Sequence, residues 1–373
     1  MAGPSAELEA QLAAQLAAQP DDVDALRVYA DALQARGDPR GELIIVQLQR
    51  AAAPDDAALA AREAELLRRH RAAWLGELAE LRPRDLGVTW RHGFVHGVRI
   101  GPPLEAHQAT DIDVAVTLGR VMRLPAVETV RELAIGAIES NGYPTTWTAA
   151  IAGIAAHGVP PNTAALSVRC GSVWELAHTS LGDLSPAYPR LAGLRALTIE
   201  MGTLELGAIA LPELRSLEIR TMGLTRANLR SMRGARWPRL ESLWLSFGEP
   251  GERRPMDIEP GDLAWIFAGE NLGGVRRLGL ASASFTDDLA RGLAGSRVLA
   301  QLESLDLSLG TLSDTGAAAI AGNAAAFRHL RELDLSHAYL SDDARAALAS
   351  LGPHVVLGDP QSPDDDFRYP AIR

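Results

Sequence analysis

A short pattern of leucines, L-x-x-L-x-L, recurs along the second half of the chain at a nearly constant spacing. Two clear copies begin at Leu302 and Leu330, which lie 28 residues apart. A Ser-Asp pair follows both copies at the same offset, beginning at Ser313 and Ser341. The last two leucines of each copy alternate with other residues and fit the buried face of a strand. Each unit therefore predicts a strand, a turn and a helix capped by the serine hydroxyl.

The same pattern appears earlier in the chain. Further copies begin at Val130, Leu194, Leu214, Leu240 and Val275, and weaker ones lie at residues 95–100, 163–168 and 355–357. A period of about 20–29 residues built on L-x-x-L-x-L is the signature of a leucine-rich repeat, in which each unit stacks on the next. The predicted fold is therefore an α/β leucine-rich-repeat solenoid, a horseshoe with a parallel inner sheet and outer helices.

Two units depart from the average length. The unit that begins at Leu194 has only 20 residues and contains Pro212, so its outer side is expected to be a turn instead of a helix. The unit that begins at Leu240 has 35 residues, and its helix is expected to begin near residues 259–262. The extra residues predict a long rim loop at 246–262. Such a loop is either functional or a tolerated surface insertion.

The first 82 residues lack the strand period and predict a helical module. Leu26, Tyr29, Ala30 and Leu33, for example, have the i, i+3, i+4, i+7 spacing of an amphipathic helix. A hairpin is expected next, with its turn at His92 and its edge paired to the first repeat. The predicted organisation is a helical capping module at 1–82, a hairpin and linker helix at 83–125, the solenoid at 126–358 and an acidic tail at 359–373.

One segment of the helical module resembles a known family. Residues 29–44, YADALQARGDPRGELI, resemble the bacterial repeat-companion domain, whose pattern is roughly Y-A-D-W-L-x-x-R-G-D-P-R-G-E-F-I. Ala32 and Leu43 replace the tryptophan and the phenylalanine of that pattern. The resemblance implies a module that accompanies a repeat array, with no known chemistry. The alternative is that Tyr29 belongs to a core and that the surrounding charged residues only cap helices or face solvent.

The repeats themselves also resemble a family. The segments L-G-D-L-S-P from Leu181, D-L-S-L-G-T-L from Asp306 and D-L-S-H from Asp334 resemble an uncharacterised bacterial family of leucine-rich-repeat proteins with ribonuclease-inhibitor-like repeats. The resemblance extends from Val130 to the last residues. It implies the fold and leaves the partner open, because solenoids of this type bind many molecules.

Charge and composition exclude several classes of protein. The formal net charge is −11, whereas binding to nucleic acid requires a basic patch. No window of 18 apolar residues is present, and residues 1–20 do not form a secretory signal, so we expect no membrane association. The only cysteine is Cys170, which fits a reducing compartment. We therefore expect a cytoplasmic protein, and we expect a monomer.

Catalytic and metal-binding patterns are missing from the sequence. The nine histidines show no zinc or calcium spacing, and Cys170 has no evident base. No G-K-[ST] follows Gly273-Gly274, so no phosphate loop is expected. We expect no catalytic residue, no cofactor and no metal, and we expect that the protein is not an enzyme. The favoured function is a non-catalytic scaffold for protein–protein interaction. The alternative is a ligand-dependent regulatory or enzyme-like protein that uses the rim loop.

The repeat pattern also predicts the concave face, because the residue between the last two leucines points away from the core. Trp244 is the only large aromatic residue at this position, so we expect it to anchor a partner. The alternative is that Phe247 and the rim loop fold over Trp244 and bury it. The predicted partner-binding residues of the concave face and rim loop are Trp244, Arg169, Glu200, Glu218, Arg220, Phe247, Arg253, Arg254, Arg277, Asp306 and Asp334.

Overall fold

The leucine repeats form the inner sheet of a solenoid. A computed structural model describes residues 15, 19, 21–103, 112–136, 145–170, 176, 178–248, 257–352, 354–365 and 368–371. The strands are β1 Leu86–Arg91, β2 Phe94–Ile100, β3 Glu132–Ile135, β4 Thr145–Thr146, β5 Ala165–Arg169, β6 Thr179–Asp183, β7 Ala196–Glu200, β8 Thr203–Glu205, β9 Ser216–Arg220, β10 Ser242–Gly248, β11 Arg277–Ala283, β12 Ser304–Asp306, β13 Glu332–Asp334 and β14 Val355–Val356. Eleven strands form one sheet in the order β1-β2-β3-β5-β7-β9-β10-β11-β12-β13-β14, and β4, β6 and β8 form a second, small sheet.

The register of the large sheet aligns the repeats leucine by leucine. Leu217 pairs with Leu243, Leu243 with Leu278, and Leu278 with Leu305, all in parallel strands. These leucines are buried and belong to one continuous core that extends along the whole stack. The predicted solenoid with a parallel inner sheet is therefore confirmed, and the weaker copies of the pattern also contribute strands to this sheet.

A hairpin begins the sheet. Strands β1 and β2 are antiparallel, and β2 pairs in parallel with β3. His92 and Gly93 both have positive φ, at 49° and 80°, as a two-residue hairpin turn requires. The predicted turn and the predicted pairing onto the first repeat are both confirmed.

Helices cover the outer side of the solenoid and precede the hairpin. They are α1 Val23–Ala35, α2 Arg40–Ala52, α3 Ala57–Leu75, α4 Val114–Val121, α5 Thr148–His157, α6 Arg226–Arg233, α7 Ala264–Phe267, α8 Thr286–Ala294, α9 Asp314–Gly322, α10 Ala324–Phe327 and α11 Asp342–Ala349. Short 3-10 helices lie at Gly76–Glu80, Val127–Thr129, Ser185–Arg190, Pro260–Leu263 and Leu299–Gln301. The first three helices contact the hairpin: the Gly93 N–H donates to Gln47 Oε1 at 2.8 Å, and the rings of Trp74 and Trp90 lie 5.3 Å apart.

The predicted serine caps are present, and aspartates link them between repeats. Ser313 and Ser341 each accept a hydrogen bond from the first turn of the following helix. Asp287, in the helix of the preceding repeat, accepts from the Ser313 backbone N–H at 2.8 Å and from its hydroxyl at 2.6 Å. Thr286 differs from the expected cap, because it lies inside the helix and its hydroxyl donates to the carbonyl oxygen of Ala283.

The two units of unusual length also have the predicted structures. The outer side of the 20-residue unit contains the short strand β8 and turns, with no helix among its residues, all of which are described. The helix of the 35-residue unit begins with a 3-10 turn at Pro260–Leu263, capped by Glu259 and Asp262. Of the rim loop at 246–262, residues 249–256 lie outside the described residues.

The C-terminal tail contacts the last repeats. The Ala371 N–H donates to the carbonyl oxygen of Leu309 at 2.7 Å, and the Tyr369 N–H donates to the Tyr339 hydroxyl at 3.3 Å. The guanidinium of Arg368 lies 5.6 Å from the centre of the Tyr339 ring. The tail thus folds back on the solenoid, whereas its aspartates at 364 and 365 are exposed.

Candidate functional site

The register places one residue of each repeat in a row along the middle of the concave face. Because side chains alternate between the two faces of a strand, these residues point away from the leucine core. We call this set the middle row, and in strand order it consists of Arg99, Ala134, Ser167, Thr198, Glu218, Trp244, Gly279, Asp306 and Asp334. All of them except Gly279 are partly exposed.

Trp244 lies flat across the neighbouring strand. A Cβ atom built on Gly279 would be 2.0 Å from Trp244 Cδ1, so the indole occupies the space of the missing side chain. The ring reaches across β11, and its Nε1–H donates to Asp306 Oδ2 on β12 at 2.7 Å. The absence of a side chain at Gly279 therefore allows the tryptophan to rest on the sheet surface.

Arg220 contacts the same indole from the strand on the other side. Its guanidinium carbon lies 4.7 Å from the ring centre, within the range of a cation–π interaction. Its Nε–H donates to Glu218 Oε1 at 2.6 Å. Glu218, Arg220, Trp244 and Asp306 thus form a connected cluster across β9, β10 and β12, which fixes the orientation of the indole. We call it the tryptophan cluster.

The remaining predicted residues of the concave face form smaller contacts. Arg169 and Glu200, on adjacent strands, form an ion pair at 2.5 Å. Asp306 and Asp334 each accept a hydrogen bond at 2.8 Å from the backbone N–H two residues later, which holds the carboxylates in one orientation. Arg277 is exposed and lies one position before the middle row.

The rim-loop part of the predicted site requires a correction. Phe247 is fully buried in the core, where its ring packs at 5.2 Å against Phe285. It lies on the leucine face of β10, because Ser246 precedes it and hydrogen-bonds both ways with the Thr221 backbone. Phe247 therefore neither contacts a partner on the surface nor covers Trp244. Arg253 and Arg254 lie outside the described residues.

A depression of about 360 Å³ lies beside the tryptophan cluster. Arg99, Arg169 and Arg220 surround it, and Ser167 and Thr198 contribute to its lining. Sequence reasoning missed Arg99. The signal was available, because extending the repeat alignment to residues 95–100 places Arg99 in the middle row.

Features of other functional classes were sought in the part of the chain that the structure describes. No group of three or more His, Cys, Asp or Glu residues there has the arrangement of a metal site. None of the described helices combines the length and the apolar character that a membrane span requires. Cys170 is buried, with its sulfur 3.9 Å from Glu200 Oε1.

Comparisons with known proteins agree with the repeat architecture. A family model described as Leucine Rich repeat matches residues 300–321 and 328–349, which contain β12 with α9 and β13 with α11. This chain is a leucine-rich-repeat protein. Leucine-rich repeats are in general protein-interaction modules, and proteins of this fold are typically non-enzymatic.

A solved structure extends the agreement to most of the solenoid. The leucine-rich-repeat protein is similar to the crystal structure of a protein from Bacteroides fragilis, with a TM-score of 0.61. The two sequences are 22% identical, and the alignment covers 69% of this chain and 75% of the other. This likeness concerns the fold alone. No curated protein matches the sequence.

Proposed function

We propose that this leucine-rich-repeat protein is a non-catalytic scaffold that binds a protein partner on its concave face, with Trp244 as the central anchor. The observation that carries the proposal is the tryptophan cluster. Trp244 is the only aromatic residue of the middle row, and it is held on the sheet surface by Asp306 and Arg220. Tryptophan and arginine are the residue types most enriched at binding hot spots.

The fixed orientation of the indole favours binding. Ordering a flexible side chain at an interface costs about 0.5–1.5 kcal/mol, and a side chain that is already ordered avoids most of this cost. The polar residues around Trp244 resemble the polar rim of an interface, which contributes more to specificity than to affinity. This surround comprises Arg169, Glu200, Glu218, Arg220, Arg277, Asp306 and Asp334.

The proposal also includes the cellular setting. A net charge of −11 disfavours nucleic acid and anionic membranes as partners, and the single cysteine suits a reducing cytoplasm. We propose a monomer. A contribution of Arg253 and Arg254 from the rim loop stays a prediction, as does the alternative role of this loop in binding a ligand.

The test is affinity purification of partners from the native host with the wild type and with Trp244→Ala. Trp74→Ala is the matched control, because Trp74 is also half-buried but lies on α3, where it contacts Trp90. A partner of the concave face is captured by the wild type and by Trp74→Ala and is lost with Trp244→Ala.

The captured partner is then purified and titrated against the same variants. Trp244→Ala is expected to weaken binding about tenfold or more with little change in melting temperature. Unchanged binding with a stability loss of several kcal/mol would make Trp244 a core residue and refute the assignment.

A further inference from the structure

We infer that the depression bounded by Arg99, Arg169 and Arg220 binds an acidic segment of the protein partner. The inference rests on the proposed function and names the chemistry that the concave face recognises beside Trp244. Arg220 belongs to both features, because it lines the depression and contacts the indole. A partner anchored on Trp244 would therefore extend toward the hairpin end of the solenoid across this depression.

Small residues separate the three arginines. Arg99 lies on β2, Arg169 on β5 and Arg220 on β9, so each is two strands from the next. Neighbouring strands are about 4.8 Å apart, which gives about 9.6 Å for each of these intervals. The lining between them consists of Ala134, Gly136, Ser167 and Thr198. The arginine side chains thus border an open floor that can receive a polypeptide.

Charge in the depression differs in sign from that of the whole protein. Three arginines are accompanied by two carboxylates: Glu200, which pairs with Arg169, and Glu218, which pairs with Arg220. The local balance is therefore +1 in a chain of −11. The side chains of Arg169 and Arg220 are only 33% and 27% exposed, so solvent and salt screen them less than fully exposed charges.

Guanidinium groups determine which ligand fits. An arginine donates two parallel N–H bonds to a carboxylate, and the remaining donors can continue to bond an existing partner. Arg99 is positioned by hydrogen bonds to the carbonyl oxygens of Pro83 and Arg84, at 3.2 and 3.3 Å. The hydroxyls of Ser167 and Thr198 can donate to a carboxylate on the floor.

The spacing of the arginines suggests a sharp probe. In a polyproline II helix, residues three apart lie on one face, about 9.3 Å from each other. This distance is close to the interval of about 9.6 Å between successive arginines. A fluorescein-labelled peptide with the sequence Glu-Pro-Pro-Glu-Pro-Pro-Glu therefore presents three carboxylates with the required spacing. The same peptide with glutamine in place of glutamate keeps the shape and removes the charge.

The experiment measures fluorescence anisotropy of both peptides titrated with the full-length protein. The glutamate peptide is expected to bind about tenfold or more tightly than the glutamine peptide. Its affinity is expected to fall as NaCl rises from about 50 to about 500 mM. Equal binding of the two peptides would overturn the inference.

Two pairs of variants locate the binding. Arg99→Gln is expected to weaken the glutamate peptide about fivefold, whereas Arg291→Gln, which removes one positive charge from the outer helix α8, changes it less than about twofold. Ser167→Glu places a carboxylate on the floor and is expected to abolish binding, whereas the isosteric Ser167→Gln largely retains it. Equal effects within both pairs would contradict the inference, and the Ser167 pair decides it if Arg99→Gln does not fold.

The peptide assay is independent of the partner assay. If the glutamate peptide binds as expected but partner binding does not depend on Trp244, the proposed function fails and the acidic-segment site stands. If partner binding depends on Trp244 but the two peptides bind equally, only the present inference fails.

Discussion

Trp244 and Gly279 are register partners on adjacent strands, and the indole of one fills the space left by the missing side chain of the other. This relationship makes the tryptophan cluster sensitive to a single methyl group. Gly279→Ala would place Cβ 2.0 Å from Trp244 Cδ1, so the ring must move and lose its hydrogen bond to Asp306.

The first prediction follows from this contact. Gly279→Ala is expected to weaken partner binding as strongly as Trp244→Ala and to destabilise the protein by about 1–3 kcal/mol through overpacking. The measurements are partner affinity and urea unfolding. Gly273→Ala is the control, because no atom lies within 4 Å of its added Cβ. Binding that survives Gly279→Ala would show that the position of the indole does not matter.

A second prediction concerns Ser282, which two features make unfavourable. Its backbone has φ of 54°, and its buried hydroxyl has no hydrogen-bond partner. Ser282→Ala removes the unsatisfied hydroxyl and is expected to stabilise the protein by about 1 kcal/mol. Ser282→Gly also removes the strain, which exceeds the entropic cost of glycine, so its stability should be at least as high. Denaturant unfolding measures both variants, and a destabilised Ser282→Ala would contradict the prediction.

The third prediction tests the bond between successive outer helices. Asp287→Ala removes the acceptor of the Ser313 N–H, the Ser313 hydroxyl and the Gly316 N–H. Because these groups lose a charged acceptor, the free energy of unfolding is expected to fall by about 2–3 kcal/mol. Asp288→Ala is the neighbouring control, since its surface ion pair with Arg291 contributes at most about 1 kcal/mol. Equal losses in the two variants would refute the linking role of Asp287.

The fourth prediction concerns the helical module at 1–82 as a cap. Solenoids expose an apolar layer at each end, and this layer requires cover. Leu75 and Leu78 belong to the continuous solenoid core, and Trp74 packs against Trp90 of β1. Deletion of residues 1–82 is therefore expected to give aggregated or strongly destabilised protein. A soluble truncated chain with an unchanged melting temperature would show that the module is not a cap.

Local pattern was sufficient to predict the repeats. Alternation of leucines specifies which residues enter the core, and unit length indicates where a helix has room to form. For these reasons the inner strands, the serine caps, the 20-residue unit without a helix and the concave position of Trp244 were all predictable. The resemblance of residues 29–44 to a companion domain stays a prediction.

The contacts of the site depended on tertiary structure. Trp244 meets Gly279 and Asp306, which lie 35 and 62 residues further along the chain, and a repeat pattern does not specify which side chains of unequal repeats touch. Phe247 shows the same limit, because it continues the inward alternation of β10 where a surface loop was expected. The sequence by itself determined the faces of each strand through the two-residue period. Only lateral stacking decided the neighbours across strands, because it depends on the register between repeats and on how the side chains pack there.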